Sequence, residues 1–322
     1  MALGPDDGTR DGSIHGGAQL LYRSIPLAGA VGFVARGPVL ASDDPALAAA
    51  AGLERLALAC KLTYLIVQPY QERAEVMTPQ LLRGGYRTAP EIMAPHNTTT
   101  GLLDLRQGEE AILAGMRSST RRNVRLAQRR GMTVREGGAA DLPVFYSLLT
   151  ATARRRGFSS HPASFFDAAW SAMASVGMLR MAVAELDREP VSAFLWVVLG
   201  DTMNCWRGGW SGQHRYRRPN EALDWWAISW AARQGLRWYD FQGDTDYTRG
   251  FSGSSVSSPG PLERVPNPLL RRLYPKSLHT LLDAPAIAWL KQLVRSRGWP
   301  GSLKLMLYPL IAWIASISTP AY

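Results

Sequence analysis

Between Met116 and Val134 six arginines fall within fourteen residues: Arg117, Arg121, Arg122, Arg125, Arg129 and Arg130. A guanidinium is a forked, permanently charged donor whose geometry matches phosphate and carboxylate oxygens. A second basic group, Arg215, Arg217 and Arg218 in "GQHRYRRPNEA", stands just before a predicted helix N-terminus. Orphan backbone N–H groups and the helix dipole favour an anion there. Asn220 in that loop is either part of such a site or simply the helix cap. Arg36, beside Gly37 and Pro38, is a further candidate for a phosphate. The formal net charge of +10 points the same way, to polyanions such as nucleic acid, nucleotide diphosphates or an anionic membrane face.

Other chemistries find less support. Ser211 and Ser252 each have glycine two residues before but not two after, so neither completes a Gly-x-Ser-x-Gly elbow. The histidines at 15, 96, 161, 214 and 279 lack ligand spacing, so neither a metal nor any other cofactor is expected. Cys60 and Cys205 lie in apolar patterns and read as buried thiols of a reducing compartment. Asp240, inside "WYDF", is expected to be buried and paired with an arginine such as Arg207, in a role either structural or catalytic.

The elements that must hold these residues follow from periodicity. Leu113, Met116, Thr120, Val124 and Ala127 recur at spacings of three and four, which predicts one helix from Gly108 to Gly131. Arg117, Arg121 and Arg125 form the neighbouring stripe, presented at fixed positions either to phosphate or to acids such as Glu109 and Glu110. Strands are predicted at "AVGFVARGPVL", "TYLIVQP", "TGLLDL" and "MTVRE", with a helix from Pro45 to Cys60. Two helices, Leu142 to Arg155 and Ala163 to Val176, then precede three strands: "MLRMAVAEL", "VSAFLWVVL" and "TMNCWRGGW". A helix from Asn220 to Gln234 and the strand "LRWYDFQG" complete the series. Trp206, Trp225, Trp226, Trp230 and Trp238 fall in these elements and are expected in the core.

The length suits two domains. The boundaries predicted are 1–141, with a loose leader over 1–18, then 142–260, then a helical segment over 261–322 that packs back on the first domain. Its apolar run, Leu303 to Ser318, is shorter than the roughly 20 residues of a membrane span, and a packed helix is preferred over peripheral membrane contact. The first twenty residues carry no apolar signal region, so a cytoplasmic location is expected; the protein is separately expected to be a monomer. "ARGPVLASDDPALAAAAGLERLALACKLTYLIVQP" and "YRRPNEALDWWAISWAARQGLRWYDFQG" share an order of basic residue, proline, helix and strand ending in glutamine, which favours two copies of one fold.

The order helix, helix, three antiparallel strands, helix, strand is that of an acyltransferase core of the GNAT type. Within it, "TTTGLLDLRQGEEAILAGMRSSTRRNVRLAQRRGMTVRE" resembles the segment that marks the Fem family of aminoacyl transferases. "ARGPV", "TARRRGFSSH", "EPVSAFLWV" and "RRPNEALDWWAISWAARQGLRWYDFQG" follow in register, so the resemblance runs from about Val31 to Gly253. It implies an α/β protein of two tandem GNAT-like domains, with mixed, mostly antiparallel sheets and a cleft between them.

It also implies transfer of an amino acid from aminoacyl-tRNA to an amine of a peptide-type acceptor. That acceptor would be a UDP-muramyl peptide, a lipid-linked precursor or, in a peptide antibiotic pathway, a carrier-bound peptide. An aminoacyl ester is already activated, so the amine attacks directly once both are held and the oxyanion is stabilised. On this resemblance Asp104 orients the acceptor amine or takes its proton, and Tyr247 matches the family's aromatic in "DYTRGFSG". Thr248 stands where the family carries a lysine, and Arg249 supplies charge from the next position. The arginines at 117, 121, 122, 125 and 129 are assigned to tRNA or a domain interface. Two other functions stay open: an acyl-CoA-dependent N-acyltransferase, disfavoured because the loop before Asn220 lacks a Gly-x-Gly cradle, and a non-catalytic RNA-binding or envelope-assembly protein.

Overall fold

The structure, a computed structural model, describes residues 2–3, 16–25, 29–40, 46–69, 74–89, 97–158 and 160–265. The chain divides into two compact units. One draws on the chain up to Thr98 and again from Ser257; the other runs from Thr99 to Val256.

In the first unit, β1 (Ala2–Leu3), β2 (Gly16–Gly17) and β5 (Val39–Leu40) make a small sheet, which places part of the expected loose leader in regular structure. The main sheet takes β3 (Leu21–Ile25), β4 (Gly29–Ala35), β6 (Leu62–Gln68) and β7 (Arg87–Thr88), with β15 (Leu262–Arg264) inserted between β6 and β7. Strands β4 and β6 are parallel, joined by helix α1 (Ala46–Ala59); helix α2 (Ala74–Arg83) follows. Pro79 inside α2 hides that helix from a periodicity argument. Val34, Leu53, Ala57, Leu65, Met77 and Leu81 are almost fully buried between sheet and helices.

The second unit opens with β8 (Thr99–Asp104), α3 (Glu109–Gly115), α4 (Ser118–Arg129) and β9 (Met132–Gly137). Helices α5 (Leu142–Arg156) and α6 (Ala163–Met173) lead to β10 (Leu179–Leu186), β11 (Glu189–Leu199) and β12 (Thr202–Trp210). Helix α7 (Pro219–Arg233), β13 (Trp238–Asp240), α8 (Asp246–Arg249) and β14 (Ser254–Ser257) complete it. The seven strands are ordered β14-β8-β13-β12-β11-β10-β9. Only β12 and β13 are described as a parallel pair; β8–β13 and β9 through β12 are antiparallel. One face packs on α3, α4 and α7 through Ile112, Val124, Leu223 and Ile228, the other on α5 and α6 through Phe145, Leu149 and Phe166. Gly209 is what lets α5 lie so close to β12, because a Cβ there would run into the backbone of Leu148 and Leu149.

This architecture is the α/β, mixed and mostly antiparallel arrangement expected, but the boundaries differ. Thr99 to Asp141 packs with the second unit and not the first, because β8 pairs with β13 and β9 with β10. Residues 262–264, expected in a terminal helix, form a strand of the first unit's sheet. The rest of the predicted helical segment, including the apolar run from Leu303, lies outside the described residues. Among the described residues no helix is long and apolar enough to cross a membrane.

The arginine stretch is also two helices, not one. Met116 and Arg117 adopt extended backbone between α3 and α4, and the Arg117 N–H donates to Gly250 O (3.0 Å) instead of continuing the helix. A Cβ at Gly250 would run into Thr120 Oγ1, so this junction needs glycine. The apolar stripe itself is as expected, with Met116, Thr120, Val124 and Ala127 buried.

Candidate active site

Helix α7 buries Leu223, Ala227, Ile228 and Ala231 against the sheet, and Asp224 lies on the same face, only 2% exposed. A carboxylate so placed is costly unless its oxygens are occupied. Two tyrosines occupy them: Tyr239 of β13 donates to Oδ1 (2.7 Å) and Tyr247 of α8 donates to Oδ2 (2.6 Å). The Tyr239 hydroxyl in turn accepts from Trp196 Nε1 (2.8 Å), which fixes its proton toward Asp224. Burial outweighs these bonds and pushes the Asp224 carboxyl up to about 6, while the two hydroxyls pull it back down. Burial, and then the nearby Asp224 charge, keep the Tyr247 hydroxyl protonated well above the usual range. Its ring packs edge-on against Phe251 at 5.4 Å, yet the residue is 40% exposed. Tyr247 therefore connects a buried carboxylate with the surface.

This cluster sits where two parallel strands part. Strand β13 pairs with β12 over Thr202–Asn204 alone and ends at Asp240, whereas β12 continues to Trp210. Gln242 Nε2, donating to Asn204 Oδ1 at 2.9 Å, bridges the strands at the point of divergence. Cys205, the next residue of β12, is buried beside Tyr239 and Asp224, and burial raises its thiol. The register of β11 against β12 slips here: Trp196 faces Cys205 and Leu195 faces Arg207, leaving Trp206 as a bulge. From Cys205 to Trp210 β12 has no strand on its β13 side among the described residues. Outward-facing backbone groups of that segment are the kind of edge that an extended ligand pairs with.

The expected catalytic residues separate accordingly. Tyr247 joins the cluster, but its neighbours serve the backbone. Thr248 is 4% exposed and forms a reciprocal cap with Thr245: Thr245 N donates to Thr248 Oγ1 (2.8 Å) and Thr248 N to Thr245 Oγ1 (3.2 Å). Arg249 Nε pairs with Asp244 Oδ1 at 2.8 Å. Asp104 is not brought to the cluster. It ends β8 opposite Trp238, while the Asp240 end of β13 faces Leu102, and Arg106 grips it with a 2.5 Å contact. That guanidinium holds the Asp104 carboxyl down at about 2.

Among the expected substrate contacts, Asp240 is buried as predicted and accepts from Thr100 Oγ1 (2.5 Å), Gln242 N (2.7 Å) and Gln242 Nε2 (2.6 Å). Those bonds tie β8 to β13 and to the turn that follows it, at the mouth of the opening. Arg207 stands just past the bulge on β12, its Nη1 donating to Trp206 O at 2.8 Å. Asn220 is not the cap of α7; it lies one residue inside Pro219, with Oδ1 2.9 Å from Ser192 Oγ. Arg218 occupies the cap position in left-handed conformation, 3.6 Å from Glu221 Oε1. Asn123 Nδ2 also donates to Glu221, at 3.1 Å, and burial raises that carboxyl. Arg217 Nη1 donates to Arg130 O and Arg130 Nη1 to Tyr216 O (2.7 Å), stitching this loop to the end of α4; Arg215 is exposed. Arg36 belongs to the first unit, at positive φ in the turn before the cis Gly37-Pro38 bond.

The arginines of α4 divide too. Arg117 is paired with Asp246 at 2.6 Å, and Arg121 donates to Ala114 O at 2.6 Å, capping the end of α3. Arg122, Arg125 and Arg129 are exposed and carry no ion pair or hydrogen bond among the described residues. With Arg121, Ser118 and Leu126 they border a surface depression of about 200 Å³. The tryptophans at 206, 225, 226, 230 and 238 are only half-buried; among the described residues the one deep in the core is Trp196.

Asp224, Tyr239 and Trp196 are the site residues that motif spacing misses. The available signal is a lone carboxylate on the apolar face of the helix "ALDWWAISWAA".

The model of the acetyltransferase (GNAT) domain family matches residues 114–249, which contain the whole of this cluster. The lipid II:glycine glycyltransferase of Staphylococcus aureus (strain COL) is 26% identical over 190 residues, covering 55% of this chain; the chain spans 45% of that protein's length. Among solved structures, that of FemX superposes with a TM-score of 0.70 at 18% identity, covering 85% of this chain and 89% of that one. A tandem GNAT protein from the clavulanic acid biosynthesis pathway gives 0.53 at 14% identity, covering 80% and 81%. Both superpositions speak to the fold, which is the tandem GNAT-like arrangement. Sequence, fold and the order of the marking segments thus agree in likening the chain to the Fem-type GNAT-like proteins.

Proposed function

We infer that this protein is an aminoacyltransferase that moves an amino acid from aminoacyl-tRNA to an amine of a peptide-type acceptor, a peptidoglycan precursor first among them. The observation that carries the reading is the parting of β12 and β13 over the Tyr247–Asp224 pair. The glycyltransferase relative supports an aminoacyl donor and a cell-wall acceptor.

The chemistry asked of the site is small. The acceptor nitrogen forms a bond to the ester carbonyl carbon, the carbon–oxygen bond to the ribose breaks, and one proton moves from nitrogen to the departing oxygen. Open backbone donors along β12 beyond Asn204 are suited to the acyl group and its oxyanion. Tyr247 already donates its hydroxyl hydrogen bond to Asp224, so its oxygen can accept a proton from the attacking amine while its own passes to the carboxylate. The proton returns along the same path to the ribose oxygen. With its carboxyl at about 6, Asp224 is ionised at neutral pH and close enough in basicity for such a relay.

The test is transfer of radiolabelled amino acids from a mixed pool of charged tRNAs to UDP-muramyl pentapeptide, with RNase-treated tRNA as control. RNase-sensitive labelling of the peptide is the expected result. Labelling from acyl-CoA alone, or none from any acyl donor while tRNA still binds, overturns the reading.

A further inference from the structure

We propose that α4 and the loop before α7 together form a binding surface for single-stranded nucleic acid, with Tyr216 as a base-stacking platform. Tyr216 is 55% exposed, and its ring is flanked by two guanidinium groups, Arg217 at 5.2 Å and Arg130 at 5.9 Å from the centroid. Nothing about core packing requires a large aromatic there. The loop's mutual ties run through backbone carbonyls and the two arginines, so the ring is held in place without being covered.

The arginines of α4 continue the same surface. At 100° per residue, Arg122, Arg125 and Arg129 share one side of the helix and Arg130 lies roughly a quarter-turn or more away, with Leu126 between. Leu126, Arg122, Arg125 and Arg129 border one depression, and all three arginines lack intramolecular partners among the described residues. Arg125 and Arg129 are separated by about 6 Å of helix rise, and the row from Arg122 by about 10 Å. One strand of a nucleic acid carries a phosphate about every 3.4 Å of duplex axis, so the row spans roughly three of them. A positive track ending in an exposed aromatic with guanidinium groups beside it is the composition that binds unpaired strands, with phosphates on the track and a base on the exposed part of the ring. A duplex would use the track but leave the ring without a base to stack on it.

This goes beyond the transfer reaction but rests on that reading for its biological strand, the unpaired 3′ end of the tRNA. The experiment separates the two. Binding of the full chain to a fluorescent single-stranded RNA of about ten nucleotides is measured by anisotropy across a salt series, beside hairpin RNA and anionic vesicles. Tyr216→Ala is expected to weaken single-strand binding about tenfold or more, and Tyr216→Phe to restore it. Replacing Arg122, Arg125 and Arg129 together by Gln is expected to lower the salt slope by about 2. Equal binding by Tyr216→Ala, an unchanged slope, or binding to vesicles but not to RNA overturns the proposal. These results stand whether or not transfer occurs. Transfer from charged tRNA that survives Tyr216→Ala with unchanged KM sinks the surface and leaves the enzyme; strand binding without any transfer does the reverse.

Discussion

Replacing Asp224 by Asn separates catalysis from stability more sharply than any other change to this site. In the folded protein the carboxyl stands at about 6 against an ordinary 3.8. That difference, at 1.36 kcal/mol per unit, means the ionised form costs the native state about 3 kcal/mol at neutral pH. The side chain is almost wholly buried, so solvent screening does not reduce the figure. Asn removes that penalty and keeps the shape. Its oxygen accepts from the Tyr239 hydroxyl and its amide donates to the Tyr247 oxygen, so one hydroxyl proton loses its acceptor at a cost of about 1–3 kcal/mol, the charge-assisted bonds being already contained in the value of about 6. The gains and losses nearly cancel, and thermal unfolding is expected to shift by only a few degrees. Transfer should behave otherwise, because an amide takes no proton from Tyr247. A loss of general-base assistance of about 10²- to 10⁴-fold in kcat is expected. The wild-type rate should fall as pH drops through about 6, and this limb should vanish in the variant. Single-turnover transfer from a purified aminoacyl-tRNA, with melting curves alongside, reads both. A variant that transfers within threefold of wild type and keeps the acid limb refutes the relay, and one that fails to fold refutes the stability arithmetic.

Tyr247→Phe removes a hydroxyl that lowers the Asp224 carboxyl, so the residual acid limb should move above about 6 while transfer falls more than stability does; an unmoved limb contradicts this. Because the Asp224 carboxyl is raised on folding, its linkage favours the native state at low pH and is lost as pH rises from about 3.8 toward about 6; proton uptake on folding, read by calorimetry near pH 5, should shrink in Asp224→Asn. Thr248→Val breaks the reciprocal cap of α8 and should cost about 1 kcal/mol of stability by urea unfolding, with kcat per folded molecule nearly intact. Asp104→Asn should leave both transfer and its pH profile between 4 and 8 unchanged, since that carboxyl titrates near 2; a large loss of kcat would restore it to the reaction. Gly209→Ala drives a Cβ into the backbone of α5 and should destabilise the second unit by about 1–3 kcal/mol, as measured by denaturation.

Much of the second unit was legible because its signals are local. Hydrophobic alternation from Met178 to Trp210 fixed three strands, turn residues separated them, and the helix at Asn220 was bounded to within a residue. The stripe of Met116, Thr120, Val124 and Ala127 likewise told which side of the arginine segment faces inward. Where spacing failed, the deciding interaction joined residues far apart in the chain. The break at Met116 and Arg117 depends on Gly250, more than a hundred residues on, and the first unit's sheet is completed by Leu262–Arg264 returning after the whole second unit. No local pattern encodes either pairing.

The same division holds for the site. Sequence by itself determined that the chain is rich in arginine at helical spacing, that it lacks an elbow serine and a lysine near Tyr247, and that its elements run in the order of an acyltransferase core. Only tertiary structure decided which of those side chains are available. It spent Arg117, Arg121, Arg249 and Asp104 on neighbouring charges and carbonyls, and left Arg122, Arg125 and Arg129 open. It also brought Asp224, Tyr239 and Tyr247 from three elements to one buried point. Side-chain type and period report what a residue can do, but burial and the partners that satisfy a charge are properties of the folded chain alone.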